Sequence, residues 1–138
     1  MPANTAPIFS SLGDIQWGAT PLTTANTAKD GTGTVLTVFT ADATNGGFVQ
    51  RIRFRTAGTN IATVARVFIN NGSTNATAAN NILFDEITLP ASTLSETSAQ
   101  PVYELSLNFA LPPGDTLNVT LGTTVAAGYF ITVIGGKY

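Results

Sequence analysis

Residues 48–55 read FVQRIRFR, and over their last five positions charged and apolar side chains alternate one by one. Successive side chains of a β-strand point to opposite faces of its sheet, so Ile52 and Phe54 would enter a core. The opposite face would then carry three guanidinium groups, those of Arg51, Arg53 and Arg55. A strand with one apolar and one polar face is typical of an antiparallel sheet that covers a core on one side only.

The run at residues 102–109, VYELSLNF, repeats this alternation. Its apolar face would carry Tyr103, Leu105, Leu107 and Phe109, and its polar face Glu104, Ser106 and Asn108. Six further runs rich in Val, Ile, Phe and Thr are separated by Gly, Pro, Asn and Asp, which indicates strands joined by turns. They lie at residues 15–20, 34–40, 62–69, 82–89, 116–121 and 129–134.

These patterns predict an all-β chain. A Ser- and Thr-rich stretch at residues 91–99, closed by Pro101, allows at most one helical turn. Without helices no parallel βαβ crossover forms, so the strands must build two packed sheets or a barrel. About eight strands in 138 residues favour an antiparallel β-sandwich that is jelly-roll-like, with the order of the strands left open.

The first twelve residues differ from the rest of the chain. Pro2 and Pro7 precede Ile8 and Phe9, and the segment has little apolar surface to bury within itself. We therefore expect an extended N-terminal arm at residues 1–12, followed by a single β-sandwich domain at residues 13–138. Ile8 and Phe9 are the candidate anchors of this arm on a partner.

The composition excludes several classes of protein. Hydrophobic residues make up 43% of the chain, enough for a core, while charged residues make up 10% and leave a net charge of −2. An acidic chain offers no general attraction for nucleic acid, so we predict no nucleic-acid partner. The absence of His and Cys removes disulfides, thiolates, imidazole catalysis and nearly all zinc sites. No apolar run resembles a signal peptide or a membrane span, so we expect synthesis in the cytoplasm and no membrane partner.

The remaining polar residues form no catalytic pattern. Asp85 and Glu86 are adjacent, but on a strand they would point to opposite faces and could not flank one bond. A lysine could in principle activate a serine, although nothing in the sequence places one beside the other. The stretch Lys29-Asp30-Gly31 is simpler as a turn than as a calcium loop. We therefore predict no catalytic residue, no cofactor and no metal site.

Two groups of residues are candidates for binding. The arginines at positions 51, 53 and 55 either pair across strands with carboxylates such as Glu86 and Glu104 or dock onto an acidic partner surface. The uncharged loop at residues 70–81 could contact a sugar, although it contains none of the aromatic residues common in such sites. Trp17 and the tail at residues 135–138 are further possible contacts, and a place in the core is the simpler expectation for Trp17.

Three stretches of the chain resemble small, cysteine-free, all-β proteins encoded by tailed bacteriophages and prophages. They are TGTV at residues 32–35 running into VFTA at 38–41, ARVFINNGS at 65–73, and LPPG at 111–114 with AAGY at 126–129. In size and composition the whole chain is similar to capsid decoration proteins, also called cement or head-stabilising proteins.

This resemblance implies a virion structural protein that is assembled in the bacterial host cytoplasm and binds the outer capsid surface without catalysis. It would often act as a trimer at three-fold or quasi-three-fold positions and hold subunits of the major capsid protein together against genome pressure. The candidate contacts are Ile8, Phe9, Arg51, Arg53 and Arg55. Three alternatives stay open: a receptor- or carbohydrate-binding module of a head or tail fibre, another minor head or tail protein, and an enzyme.

Overall fold

A computed structural model describes residues 10–138, in which eight β-strands account for the regular structure. The strands are β1 (Leu12–Trp17), β2 (Leu36–Thr40), β3 (Gly47–Thr56), β4 (Thr63–Asn70), β5 (Asn81–Leu89), β6 (Val102–Leu111), β7 (Thr116–Leu121) and β8 (Tyr129–Lys137). One short 3-10 turn, Ala78–Asn80, precedes β5, and nothing in residues 10–138 forms a helix long and apolar enough to cross a membrane. The predicted all-β class is confirmed, and each predicted run overlaps one strand.

The strands form two antiparallel sheets of four, in the orders β1-β8-β3-β6 and β2-β7-β4-β5. Pairing is nested along the chain, because β1 pairs with β8, β2 with β7, β3 with β6 and β4 with β5. The two sheets pack face to face as an antiparallel β-sandwich.

The first strand lies three residues earlier than predicted. It ends at Trp17: Gly18 N still donates to Ile131 O at 3.1 Å, and the chain then bends at Ala19 and Thr20. At its other end, Ser11 N donates to Lys137 O at 2.8 Å. Residues 10–12 of the predicted arm therefore lead directly into the edge of the first sheet. The remainder of that arm, including Ile8 and Phe9, lies outside the described residues.

Apolar side chains from both sheets fill the space between them. Ile52 and Phe54 of β3 are fully buried there, as their alternation with arginine predicts. The second sheet contributes Val67 of β4 and Val119 of β7, which are equally buried. Burying side chains of this size stabilises a fold by roughly 1.5–3 kcal/mol each, so the outward-facing residues stand on a well-packed scaffold.

A β-bulge in β3 decides where the arginines fall. The register shifts between Val49 and Arg51 against both neighbouring strands: Gln50, which is exposed, is the extra residue against β8, and β6 has an extra residue of its own at Leu107 and Asn108. Asn108 of β6 lies in the same break and has a φ of 52°. Because of the bulge, Val49 and Ile52 share the buried face although they are three residues apart.

Candidate binding face on the first sheet

The outward face of the sheet β1-β8-β3-β6 carries aromatic, aliphatic and arginine side chains in three rows. Each row follows residues that lie directly opposite one another on neighbouring strands, and such residues project from the same face of a sheet. The rows are Trp17–Thr132–Arg53–Glu104, Ile15–Ile134–Arg51–Ser106 and Phe130–Arg55–Val102. We call this surface the Trp17 face.

Over the last three residues of β1 the apolar side chains face solvent and the polar one faces the interior. Gln16 lies opposite Val133, which is fully buried, so the Gln16 side of β1 faces the second sheet. Ile15 and Trp17 therefore point outward, with 57% and 68% of their surfaces exposed. The expectation that Trp17 lies in the core is wrong, because alternation along the strand puts it on the opposite side from Gln16.

Two further strands add apolar surface to the Trp17 face. Phe130 of β8 is 52% exposed and Val102 of β6 is 37% exposed, and each lies directly opposite Arg55. Arg55 therefore stands between two apolar side chains. Aromatic and arginine side chains are enriched at the centres of protein interfaces, where a few of them supply most of the binding energy. The residue types of the Trp17 face are thus those of a docking surface.

Two of the three arginines pair with one carboxylate across the strands. Arg51 Nε lies 3.1 Å from Glu104 Oε2, and Arg53 Nη2 lies 3.0 Å from Glu104 Oε1. All three side chains are partly exposed, so each pair contributes at most about 1 kcal/mol to stability. Arg55 is exposed and forms no ion pair within residues 10–138. The cross-strand pairing that the sequence allowed is present for Arg51 and Arg53, and Arg55 differs from both.

The asparagines of the loop at residues 70–81 are used to hold loops together. Asn75 Nδ2 donates to Gly33 O at 2.7 Å, and Asn81 Nδ2 donates to Asn75 O at 2.9 Å. Asn70 Nδ2 donates to Asn81 Oδ1 at 2.7 Å. These side-chain amides therefore stabilise the packing of this loop against the loop that follows β1, and their donors are already occupied.

The adjacent acids of β5 are separated as predicted. Asp85 lies opposite the buried Val67, and Glu86 lies opposite Arg66, so the two carboxylates project from opposite faces of the sheet. Glu86 Oε1 accepts a long hydrogen bond of 3.4 Å from Arg66 Nε. This arrangement is a cross-strand ion pair and gives no geometry for an acid and a base to act on one bond.

Asp30, the acid of the Lys29-Asp30-Gly31 turn, is engaged within its own turn. The hydroxyl of Thr32 donates to Asp30 Oδ1 at 2.6 Å and the Thr32 N–H donates to it at 3.1 Å. These two hydrogen bonds lower the pKa of the Asp30 carboxyl below its usual range. Within residues 10–138, no three His, Cys, Asp or Glu side chains lie together as a metal-binding group.

One cavity of about 270 Å³ lies between the loop that follows β1 and the start of β2. Threonine side chains and aliphatic groups of residues 20–25 and 34–36 line it. These walls offer hydroxyl groups and apolar contacts, without an acid or a base. The cavity is therefore a poorer candidate for a functional site than the Trp17 face.

Sequence reasoning placed Arg51, Arg53 and Arg55 on one surface but did not place Trp17 or the other apolar residues beside them. Trp17 alternates with polar neighbours, which signals that it shares a face with Ile15 but does not tell which face is buried. No protein-family model, no curated protein and no solved structure matches the chain. The Trp17 face is accordingly interpreted from its own geometry and chemistry.

Proposed function

We propose that this chain is a bacteriophage capsid decoration protein, which binds the outside of the assembled head through the Trp17 face and stabilises the head by binding alone. One observation carries the proposal: β1 turns Ile15 and Trp17 toward solvent while Gln16 faces the interior. A lone domain gains nothing from exposing its only tryptophan on a sheet face. A partner that covers Trp17 would gain on the order of 1–2 kcal/mol from its exposed surface.

The size of the Trp17 face favours binding in many copies. Strands about 4.8 Å apart and rows about 6.7 Å apart make the face roughly 20 Å by 20 Å, or about 400 Å². A stable one-to-one interface takes about 800 Å² from each partner. A face of half that size suits a repeating lattice, where several weak contacts act together.

The start of the chain is suitably placed to enlarge this contact. Residues 1–9 precede β1, which is the edge strand of the sheet that carries the Trp17 face. Nine residues span at most about 30 Å. Ile8 and Phe9 are therefore within reach of a partner that sits on the Trp17 face, and we propose them as anchors on the same partner.

The partner in this proposal is the major capsid protein of the same particle, and the chain acts at the outer capsid surface as a homotrimer. The resemblance described above supports both statements. The net charge of −2 speaks against a nucleic-acid partner. The mass of the purified chain in solution, measured by light scattering, tests the trimer separately from capsid binding.

A second candidate is a receptor- or carbohydrate-binding module of a head or tail fibre. The exposed ring of Trp17 favours it, since an aromatic face can stack on a sugar. The loop at residues 70–81 does not add to this candidate, because its amide donors are bound to the protein itself. A glycan array separates the two proposals: a specific hit supports the fibre module, and its absence supports decoration.

The experiment that tests decoration is quantitative mass spectrometry of purified particles from the source phage. Copies of this chain are compared with copies of the major capsid protein. A ratio near one, or a simple fraction set by capsid symmetry, is the expected result. A handful of copies per particle would point to a fibre or tail component, and complete absence would overturn the proposal.

A further inference from the structure

We infer that the Trp17 face docks on an acidic protein surface and that Arg55 is the residue that receives a carboxylate from it. This inference rests on the proposed function and adds the chemistry of the partner. It is carried by how charge is distributed over the described residues, combined with the position of Arg55 between two exposed apolar side chains.

Not every arginine of the Trp17 face is paired with a carboxylate of the chain. Glu104 uses one oxygen for Arg51 and the other for Arg53. Arg55 forms no ion pair within residues 10–138, and residues 1–9 contain no Asp or Glu. A guanidinium group binds a carboxylate with two parallel hydrogen bonds, so Arg55 is the group of this face with the most to gain from an acidic partner.

The Trp17 face carries an excess of positive charge, although the net charge of the chain is negative. Three arginines against one glutamate leave two excess positive charges on it, while the rest of the chain has three basic and seven acidic residues. Such a separation orients the protein toward a negatively charged surface as it approaches. Two copies of this chain would repel each other face to face, so a second copy is not the occupant.

Apolar side chains lie on both sides of the Arg55 guanidinium group. Phe130 and Val102 flank Arg55, and Trp17 lies on the neighbouring strand to Phe130. A partner that covers these side chains removes water from around Arg55, and an ion pair is stronger in such surroundings than at an open surface. The expected partner surface therefore carries a carboxylate next to an apolar patch.

The test uses the full chain and phage heads prepared from a deletion mutant that lacks it, with binding measured by co-sedimentation at several salt concentrations. We expect Arg55→Glu and Trp17→Ser each to weaken binding at least about tenfold. The matched controls are Lys29→Glu, which makes the same charge change on an exposed side chain elsewhere, and Ile61→Ser, which removes an apolar side chain that is 61% exposed. Both controls should bind within about twofold of the unmodified chain.

One variant should bind more tightly. Glu104→Gln releases Arg51 and Arg53, so an acidic partner predicts a severalfold gain in affinity and a steeper loss of binding with salt. Ser106→Lys adds a positive charge to the same face without breaking an ion pair, and it should act in the same direction if Glu104→Gln folds poorly. Circular dichroism melts of every variant verify that the β-fold is kept.

The outcomes separate the two proposals. If the unmodified chain fails to bind the heads, the proposed function and this inference both fall. If it binds, and Arg55→Glu and Trp17→Ser bind equally well, only the face is wrong. If Glu104→Gln and Ser106→Lys both leave the affinity unchanged, the partner surface is neutral, as a glycan or an apolar protein patch would be. That result overturns the inference of an acidic partner.

Discussion

The side-chain amide of Gln16 in β1 bonds both backbone groups of Thr40 in β2: Gln16 Nε2 donates to Thr40 O at 2.9 Å, and Gln16 Oε1 accepts from Thr40 N at 2.9 Å. The two strands belong to different sheets, so this contact joins the sheets at one side of the sandwich. It also holds the Gln16 side of β1 toward the interior. Trp17, the next residue, is thereby held on the outer face.

Replacement of Gln16 by alanine should lower the free energy of unfolding by about 0.5–1.5 kcal/mol, since it removes two hydrogen bonds to the exposed backbone of Thr40, which water then replaces in part. Urea denaturation followed by circular dichroism measures this change. Gln50→Ala is the matched control, because Gln50 is exposed in the bulge of β3 and should cost less than about 0.5 kcal/mol. Equal losses in the two variants would contradict the role assigned to Gln16.

The environment of Trp17 can be read directly, because it is the only tryptophan in the chain. We expect its fluorescence emission to lie at long wavelengths, as for an indole ring exposed to water, and we expect acrylamide to quench this emission readily. On binding to heads that lack the chain, the emission should shift to shorter wavelengths and quenching should decrease. A short-wavelength, poorly quenched emission in the free protein would place Trp17 in the core.

Burial predicts losses of stability of very different size for substitutions of Trp17 and Phe54. Phe54 is fully buried, so Phe54→Ala should cost about 3–5 kcal/mol of unfolding free energy. Trp17→Ala should cost no more than about 1 kcal/mol, because most of the ring is exposed. Thermal or urea unfolding of the two variants side by side measures the difference. Similar losses would show that Trp17 supports the core.

Removal of residues 1–9 should separate binding from folding. The described chain joins the sheet at Ser11 and Leu12, so a chain that starts at Ser10 keeps the pairing of β1 with β8. We expect an unchanged melting temperature and a loss of affinity for heads of at least about tenfold, because the apolar contacts proposed for Ile8 and Phe9 are removed. Ile8→Ser with Phe9→Ser in the full chain is the companion variant. Full affinity in both would remove the arm from the proposal.

Tyr129 gives the fold a predictable weakness at high pH. Burial raises the pKa of the Tyr129 hydroxyl above its usual value of about 10, Tyr103 adds to the shift, and Asn60 opposes it. Because the folded protein holds this proton more tightly than the unfolded chain, the associated stability is fully present below about pH 10 and is lost as the pH rises through the higher pKa of the folded state.

We therefore expect the unfolding free energy of the wild type to fall more steeply above pH 10 than that of Tyr129→Phe, which has no proton to lose at this position. Urea titrations between pH 8 and about 11 provide the measurement. Tyr138→Phe, at the end of the chain, is the control and should follow the wild type. Parallel curves for the wild type and Tyr129→Phe would contradict the prediction.

The buried face of β3 was predicted correctly and that of β1 was not, and the two outcomes have different physical reasons. The inner residues Ile52 and Phe54 were predictable because three arginines alternate with them, and a charged row cannot face a core. In β1 the alternating neighbours of Trp17 are Gln16 and Gly18, and neither forbids either face. The bulge at Gln50 was equally hidden, because a shift of register depends on two strands and not on one.

Local periodicity in the sequence was sufficient to determine that the chain is all-β and contains eight successive strands. It also determined that β3 and β6 each have one polar face toward solvent and one apolar face toward the core. These features depend on neighbouring side chains alone. Only the tertiary structure decided that β8 lies between β1 and β3, which brings Trp17, Phe130 and Arg55 onto one surface. It also decided which side of β1 is buried, because that choice depends on the contact between Gln16 and Thr40 across the two sheets.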